Sequence, residues 1–177
     1  MVAISLQCSD MPTDLVKDGF DLAIRLGTLR SSSLKSRRIA DFKRLLVASP
    51  DYLSARPPIA TPQDLEARDF IAVTQIPSMM TLERKDQIVS IAPANMRIEV
   101  NTVNAAKAAV LAGLGIWHLP RSVIEHEIVR GELVHILPGW SLPTLGIYAV
   151  WPDIGPQKAL TRRLIDHFIA HRSDLML

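Results

Sequence analysis

The stretch AAVLAGLGIWHLP, residues 108–120, sets two glycines two positions apart between an alanine-rich segment and an apolar one. The order of those flanks constrains the fold more than any other feature of the chain. A dinucleotide-binding turn places its glycines after a strand and before a helix, where phosphate meets free N–H groups. Here the spacing predicts the reverse. A helix over about 103–112 ends at Gly113 as a left-handed cap, Leu114 folds back on the last turn, and Gly115 opens the strand GIWHLP. A helix C-terminus carries partial negative charge and repels phosphate. The third glycine and the acidic ribose partner are missing as well. The glycines therefore read as structure. The open N–H groups of this helix lie at its other end, beside Asn101, Thr102 and Asn104 of VNTVNAA (100–106). That strand-to-helix junction suits a carboxylate or another small anion, while simple helix capping accounts for the same residues.

Similar punctuation runs along the chain. VAISL (2–6), DLAIRLG (21–27), RLLVAS (44–49), FIAVTQ (70–75), MRIEVN (96–101), ELVHIL (132–137) and LGIYAVW (145–151) read as strands. PTDLVKDG gives a helical turn or two, with Pro12 near its start and Gly19 at its stop. SPDYLSARPP (49–58) reads as a crossover segment and TPQDL as a capped helix start. TLERKDQIVSI (81–91) suggests a hairpin turning at Lys85-Asp86. PRSVIEHEIVRG is a helix bracketed by Pro120 and Gly131. In the closing helix Leu160, Leu164, Ile165, Phe168 and Ile169 share one face. Strands alternating with helices predict an α/β protein with a mainly parallel sheet.

Composition narrows the function. At 177 residues, 48% hydrophobic and 21% charged, the chain suits a packed domain or two small lobes. A net charge of +2 is too small to argue a nucleic-acid face. A single cysteine, Cys8, excludes an internal disulfide and fits a reducing compartment. The start MVAISLQCSDMPTD has no basic leader region, and no apolar run approaches the ~20 residues a membrane span needs. A soluble, cytoplasmic protein is expected.

Catalytic and metal signatures are weak. HEIVR (126–130) begins like a zinc-protease motif, but Arg130 stands where the second histidine belongs. His167 and His171 share a helix face with no third ligand in sight, and Cys8 has no histidine in its stretch to activate it. No paired acid and base stands out, so neither an enzyme nor a cofactor or metal site is expected. Lys35, Arg37 and Arg38 read as a solvated basic face. Arg25 follows an apolar strand, where its guanidinium could hold a ligand carboxylate or pair with Asp21.

Five ordered segments together resemble the effector-binding domain of LysR-type transcriptional regulators of bacteria. They are DLVKDGFDLAIRLGTLRSSSL (14–34), LLVASPDYLSARPPIATPQDL (45–65), AAVLAGLGIWHLP (108–120), GELVHILPGW (131–140) and IYAVWP (147–152). The resemblance implies a fold like that of type 2 periplasmic binding proteins, two Rossmann-like lobes with a cleft between them. Residues 1–48 with 140–177 would form lobe I and 49–139 lobe II. It also implies a small-molecule effector, anionic or aromatic, bound in the cleft. By that resemblance the effector contacts fall at Ser9, at Arg25 and Gly27, at Gln75 and Pro77, and at Asn101, Thr102 and Val103. All lie near the carboxyl ends of strands, where open α/β sheets hold ligands.

Members of this family pair through this domain, so a homodimer is expected, with DNA read by a separate winged helix-turn-helix. Measured against them, the chain is expected to lack that DNA-binding domain and the first strand and helix of lobe I. Lobe I should then be the less stable one, and the cleft should miss one serine or threonine. A solute-binding protein of a transporter shares the fold and is the alternative, disfavoured by the missing leader.

Overall fold

The computed structural model describes residues 3–11, 13–29, 33–74, 76–155 and 158–172. Its strands are β1 (Ala23–Leu26), β2 (Leu34–Phe42), β3 (Arg44–Ala48), β4 (Asp69–Val73), β5 (Met80–Arg84), β6 (Gln87–Ile91), β7 (Asn95–Val100), β8 (Trp117–Pro120), β9 (Val134–His135) and β10 (Leu145–Pro152). The helices are α1 (Pro50–Ser54), α2 (Val103–Leu111), α3 (Arg121–Val129) and α4 (Ala159–Ala170), with a 3-10 turn at Pro62–Leu65.

The local signals in 108–120 produce the expected geometry. Leu114 N–H donates to Ala109 O at 3.1 Å and Gly113 N–H to Val110 O at 3.0 Å, a paired closure of the last turn of α2. Gly113 has φ +72°, a conformation that costs a residue with a Cβ. Gly131 ends α3 in the same way at φ +71°. At Pro62–Leu65 the Asp64 carboxylate accepts the N–H groups of Ala60 and Thr61 at 2.9 and 2.8 Å. The hairpin β5–β6 turns at Lys85 and Asp86 as read.

Four expectations change. Residues 3–6 form no strand, and Ile4 and Leu6 stand 72% and 84% exposed. Alternating residues become a strand only beside a hydrogen-bonding neighbour, and the sheet β1–β10–β2 does not take them in. Residues 50–54, read as crossover, are a helix: Pro50 begins it, and Ser49 Oγ accepts the Tyr52 N–H at 3.3 Å. Pairing is mostly antiparallel, with β4–β7 parallel and Phe70 bridging Ile116 in parallel. In one sheet β10 returns from the distant half of the chain between β1 and β2 and runs against both, and in the other β3 runs against β8 and β9. On α4, Leu160 is exposed and Thr161 is buried in its place beside Ile165. The expected Pro12 start of the first turn lies outside the described residues, but its stop at Gly19 has φ +73°.

Two apolar clusters form. The larger gathers Leu46, Val47, Tyr52, Phe70, Ile71, Val110, Ile116, Trp117 and Leu119 with their neighbours. The smaller holds Ile39, Ala40, Ile147, Ala149 and Ile165 beneath α4. Tyr52 ties α1 to β4: its hydroxyl accepts the Asp69 N–H at 3.0 Å, while Arg56 lies 3.8 Å over its ring and pairs with Asp69 at 3.0 Å.

The chain passes between the two sheet systems twice. The first passage is Lys43 alone, between β2 and β3, and the second runs from 136 to 144, between β9 and β10. β3 pairs with β8 and β9, so the strand that the expected boundary at residue 48 leaves in lobe I is hydrogen-bonded into the other sheet. In the second passage Leu137 is buried with φ +52°, a conformation rare for a branched side chain.

Candidate functional site

The N-terminus of α2 is the best-built part of the candidate site. The strand β7 ends at Val100, and Thr102 then adopts extended geometry at φ −134°. Its Oγ1 accepts the Ala105 N–H at 3.1 Å, and its carbonyl accepts the Ala106 N–H at 3.1 Å. The first turn contains no acidic residue of its own. A carboxylate arrives instead from far away in sequence: Asp10 Oδ2 accepts the Val103 N–H at 2.8 Å. Positive helix-end potential and a free donor make that pairing favourable. Thr102→Ala is expected to lower stability by about 1 kcal/mol through the lost cap, read as a fall in the urea midpoint without a change in slope.

The other candidates are placed as follows. Ser9 is exposed, and its Oγ accepts the Met11 N–H at 3.1 Å, which shapes the turn that presents Asp10. Arg25 is half-buried on β1 and donates from Nη2 to Thr13 O at 2.9 Å. It pairs with no carboxylate among the described residues, and Asp21, the partner considered from sequence, pairs with Lys158 at 2.5 Å. Gly27, at φ +91°, donates its N–H to Gly146 O at 2.9 Å and so ends the β1–β10 pairing. Pro77 is exposed in the loop after β4, and Gln75 lies outside the described residues. Asn101 is exposed at the head of α2.

The structure thus brings the Ser9–Asp10 turn to Thr102 and Val103. No described hydrogen bond or ion pair links Arg25, Gly27 or Pro77 to that meeting point. An open cavity of about 500 Å3 lies elsewhere, between the 3-10 turn and the β5–β6 hairpin, lined by Thr61, Arg84, Gln87 and Trp140 among others. None of the described candidate residues lines it.

Three sharper sequence signals resolve simply. Lys35, Arg37 and Arg38 pair with Asp153, Asp166 and Asp41 on an exposed face. The rings of His167 and His171 lie 4.2 Å apart, and among the described residues no cluster of three or more metal-ligating side chains forms. Cys8 is free and exposed. Among the described residues no helix is long and apolar enough to cross a membrane.

Sequence reasoning missed two features. The partnership of Asp10 with Val103 spans 93 residues and leaves no local pattern. The second is a pair formed by a half-buried arginine and a buried histidine: Arg44 Nη1 lies 3.4 Å from Nδ1 of His118, which is 5% exposed. Arg44 faces Pro120 and Leu46 faces His118, so the pair are diagonal neighbours on one face of β3–β8. An arginine and a histidine in two separate apolar strands signal this only once the register is known. Burial, followed by the Arg44 charge, pushes His118 down to about 3, so the ring stays neutral.

Two sheet systems joined by two passages, with helices over their faces, form the α/β architecture of type 2 periplasmic-binding-protein-like domains. Solved structures with the same design include regulators of the AphB type. Full-length AphB, the virulence activator of Vibrio cholerae, matches with a TM-score of 0.78 at 27% identity, covering 97% of this chain and 58% of that one. The regulatory domain of AphB from Vibrio vulnificus matches at 0.69 and 32% identity, over 87% of this chain and 76% of that one. Among curated proteins, the transcriptional regulator PtxR of Pseudomonas aeruginosa is 35% identical over 172 residues, 96% of this chain and 55% of its own length. The LysR substrate binding domain family matches residues 1–173. The chain belongs to that family, as its five ordered segments indicate. It spans about half the length of the curated relatives it matches.

Proposed function

We propose that this chain is the effector-sensing part of a bacterial LysR-type regulator and that its effector carries a carboxylate. The observation behind this reading is the Asp10 carboxylate seated on the Val103 N–H, because the donor already holds the functional group an anionic effector would bring. Thr102 and Asn101 flank that donor, and Arg25 supplies a guanidinium without a carboxylate partner among the described residues. Ser9, Gly27, Gln75, Pro77 and Val103 complete the set of contacts. The reading carries no catalytic step.

In this scheme the two lobes are residues 3–42 with 145–172, and 44–135, joined by the passages at Lys43 and 136–144. An effector that displaces Asp10 changes the contact between the N-terminal turn and α2. It biases lobe geometry only by the difference in its affinity for the two arrangements. A homodimer carries that change to a winged helix-turn-helix elsewhere in the protein, which reads DNA from the cytoplasm.

The test is a thermal-stability screen against small carboxylates and their amides. A true effector at 100 times its Kd stabilises by about 2.7 kcal/mol, and the matching amide should not. Asp10→Ala removes the competing carboxylate and should tighten binding on the order of fivefold, the equivalent of about 1 kcal/mol. Thr102→Ala should weaken it. If no carboxylate shifts the midpoint, or Asp10→Ala weakens the hit, the reading fails.

A further inference from the structure

The two passages between the sheet systems meet over a cavity of about 160 Å3. Lys43 enters it from the first passage, Arg44 from the start of β3, His135 from β9, Trp140 and Leu142 from the second passage, and Leu82 from β5. Among the described residues no acidic side chain lines it, and none of the described candidate effector contacts does.

The electrostatics of this cavity are unbalanced. Arg44 spends Nη2 on Pro143 O at 3.2 Å and Nη1 on the neutral His118 ring at 3.4 Å. Neither partner brings negative charge. Among the described residues its buried Nε has no hydrogen-bond partner, and burial holds the guanidinium below its ordinary range. Among the described residues no carboxylate lies within ion-pair distance of Arg44 or Lys43. Two other partly buried cations are neutralised, Arg56 by Asp69 at 3.0 Å and Lys107 by Glu127 at 2.7 Å, whereas Arg25 and Arg68, like Arg44, meet only backbone carbonyls or neutral groups among the described residues. A desolvated cation without a counter-charge is costly, and a guanidinium with five donors and two partners retains N–H groups to offer.

Leu82, Leu142 and Ile136 line the same space with hydrocarbon, and Trp140 adds an indole. An apolar cavity of roughly 150 Å3 holds one benzene ring, which sets the scale of the occupant. From the charge, the walls and the volume together we infer that this hinge cavity is a second ligand site, for a small single-ring carboxylate. The carboxylate meets Arg44 and Lys43, and the ring lies among Leu82, Leu142 and Trp140. Such a ligand touches both passages at once, so its occupancy acts on the angle between the lobes independently of the N-terminus of α2.

Benzoate is the probe, titrated into the full chain by calorimetry and by amide chemical-shift mapping. Saturable binding is expected, with shifts centred on Leu82, Trp140 and Ser141. Benzyl alcohol, which keeps the ring and drops the charge, should bind at least about tenfold more weakly, the scale of a hydrogen bond to a charged group. Arg44→Met should lose at least about as much, and Lys43→Gln on the order of threefold as a more exposed contact. Thr102→Ala should leave benzoate binding at this cavity unchanged, which separates it from the proposed effector site. Should Arg44→Met fail to fold, Lys43→Gln and the alcohol comparison decide. Equal affinity for benzoate and benzyl alcohol, shifts centred on Thr102 and Val103, or no saturable binding would each overturn the assignment.

Discussion

Gly115→Ala is expected to destabilise the protein by about 3 kcal/mol, lowering Tm by roughly 6–12 °C for a chain of this size. A Cβ at this position would stand 2.8 Å from Asp69 O, 3.2 Å from Asp69 C and 3.3 Å from Ile71 Cδ1. The first two are backbone atoms that cannot swing aside. Asp69 O accepts the Ile116 N–H at 2.9 Å, and Ile71 N–H donates to Ile116 O at 3.1 Å, so the added methyl pushes β4 away from the start of β8. Tyr52 and Arg56 hold Asp69 from the other side, which removes the easy route to relaxation. Gly113→Ala, two residues earlier, meets only Ser49 Oγ at 3.4 Å and carries the penalty of a positive φ. That substitution should cost about 1 kcal/mol. Differential scanning calorimetry of the two variants checks the order. A larger loss at Gly113 would mean that the helix stop, and not the close strand approach, dominates this motif.

Stability is also expected to fall as pH drops from neutral toward 5, by about 2 kcal/mol, because of His118. In the unfolded chain its imidazole titrates near the ordinary 6.5, whereas in the fold it stays neutral down to about 3. The unfolded state therefore binds the proton first. The stability contributed by the neutral ring is complete above 6.5 and is lost progressively as pH falls toward 3. The ring has no room for a charge: it is 5% exposed, stacked on Trp117 at 4.0 Å, and it faces the Arg44 guanidinium with Nδ1. Burial lowers His135 as well, with the same sign. Urea midpoints at pH 7, 6 and 5 should decline in the parent and decline less in His118→Gln. Equal slopes would place the acid sensitivity elsewhere.

Local chemistry was legible where one residue type has one structural use. Gly113, Gly131, the Thr61-Pro62 pair and the Lys85-Asp86 turn each behave as read, because a positive φ or a missing N–H leaves few alternatives. Ser49-Pro50 shows the limit of that logic, since proline that can break a helix can equally begin one. Strand direction was not legible, because side-chain alternation is the same whichever way a neighbour runs. The pairing of Arg44 with His118 depends on register, and that of Asp10 with Val103 on how the whole chain is arranged. Of the candidate site, the sequence indicated the polar junction at 101–104 but not the carboxylate that occupies it.

The two-passage layout also orders events in time. The smaller cluster joins β2 to β10, strands from opposite ends of the chain, whereas the larger one is closed within a single continuous stretch between them. During synthesis that stretch emerges whole before β10 exists, so it can fold first. Once compact, it brings residues 43 and 145 to within a short span and spares the later sheet most of the entropy of closing a long loop. A defect in the larger core, such as Gly115→Ala, is therefore felt twice: in its own packing, and in the rate at which β10 finds its place between β1 and β2.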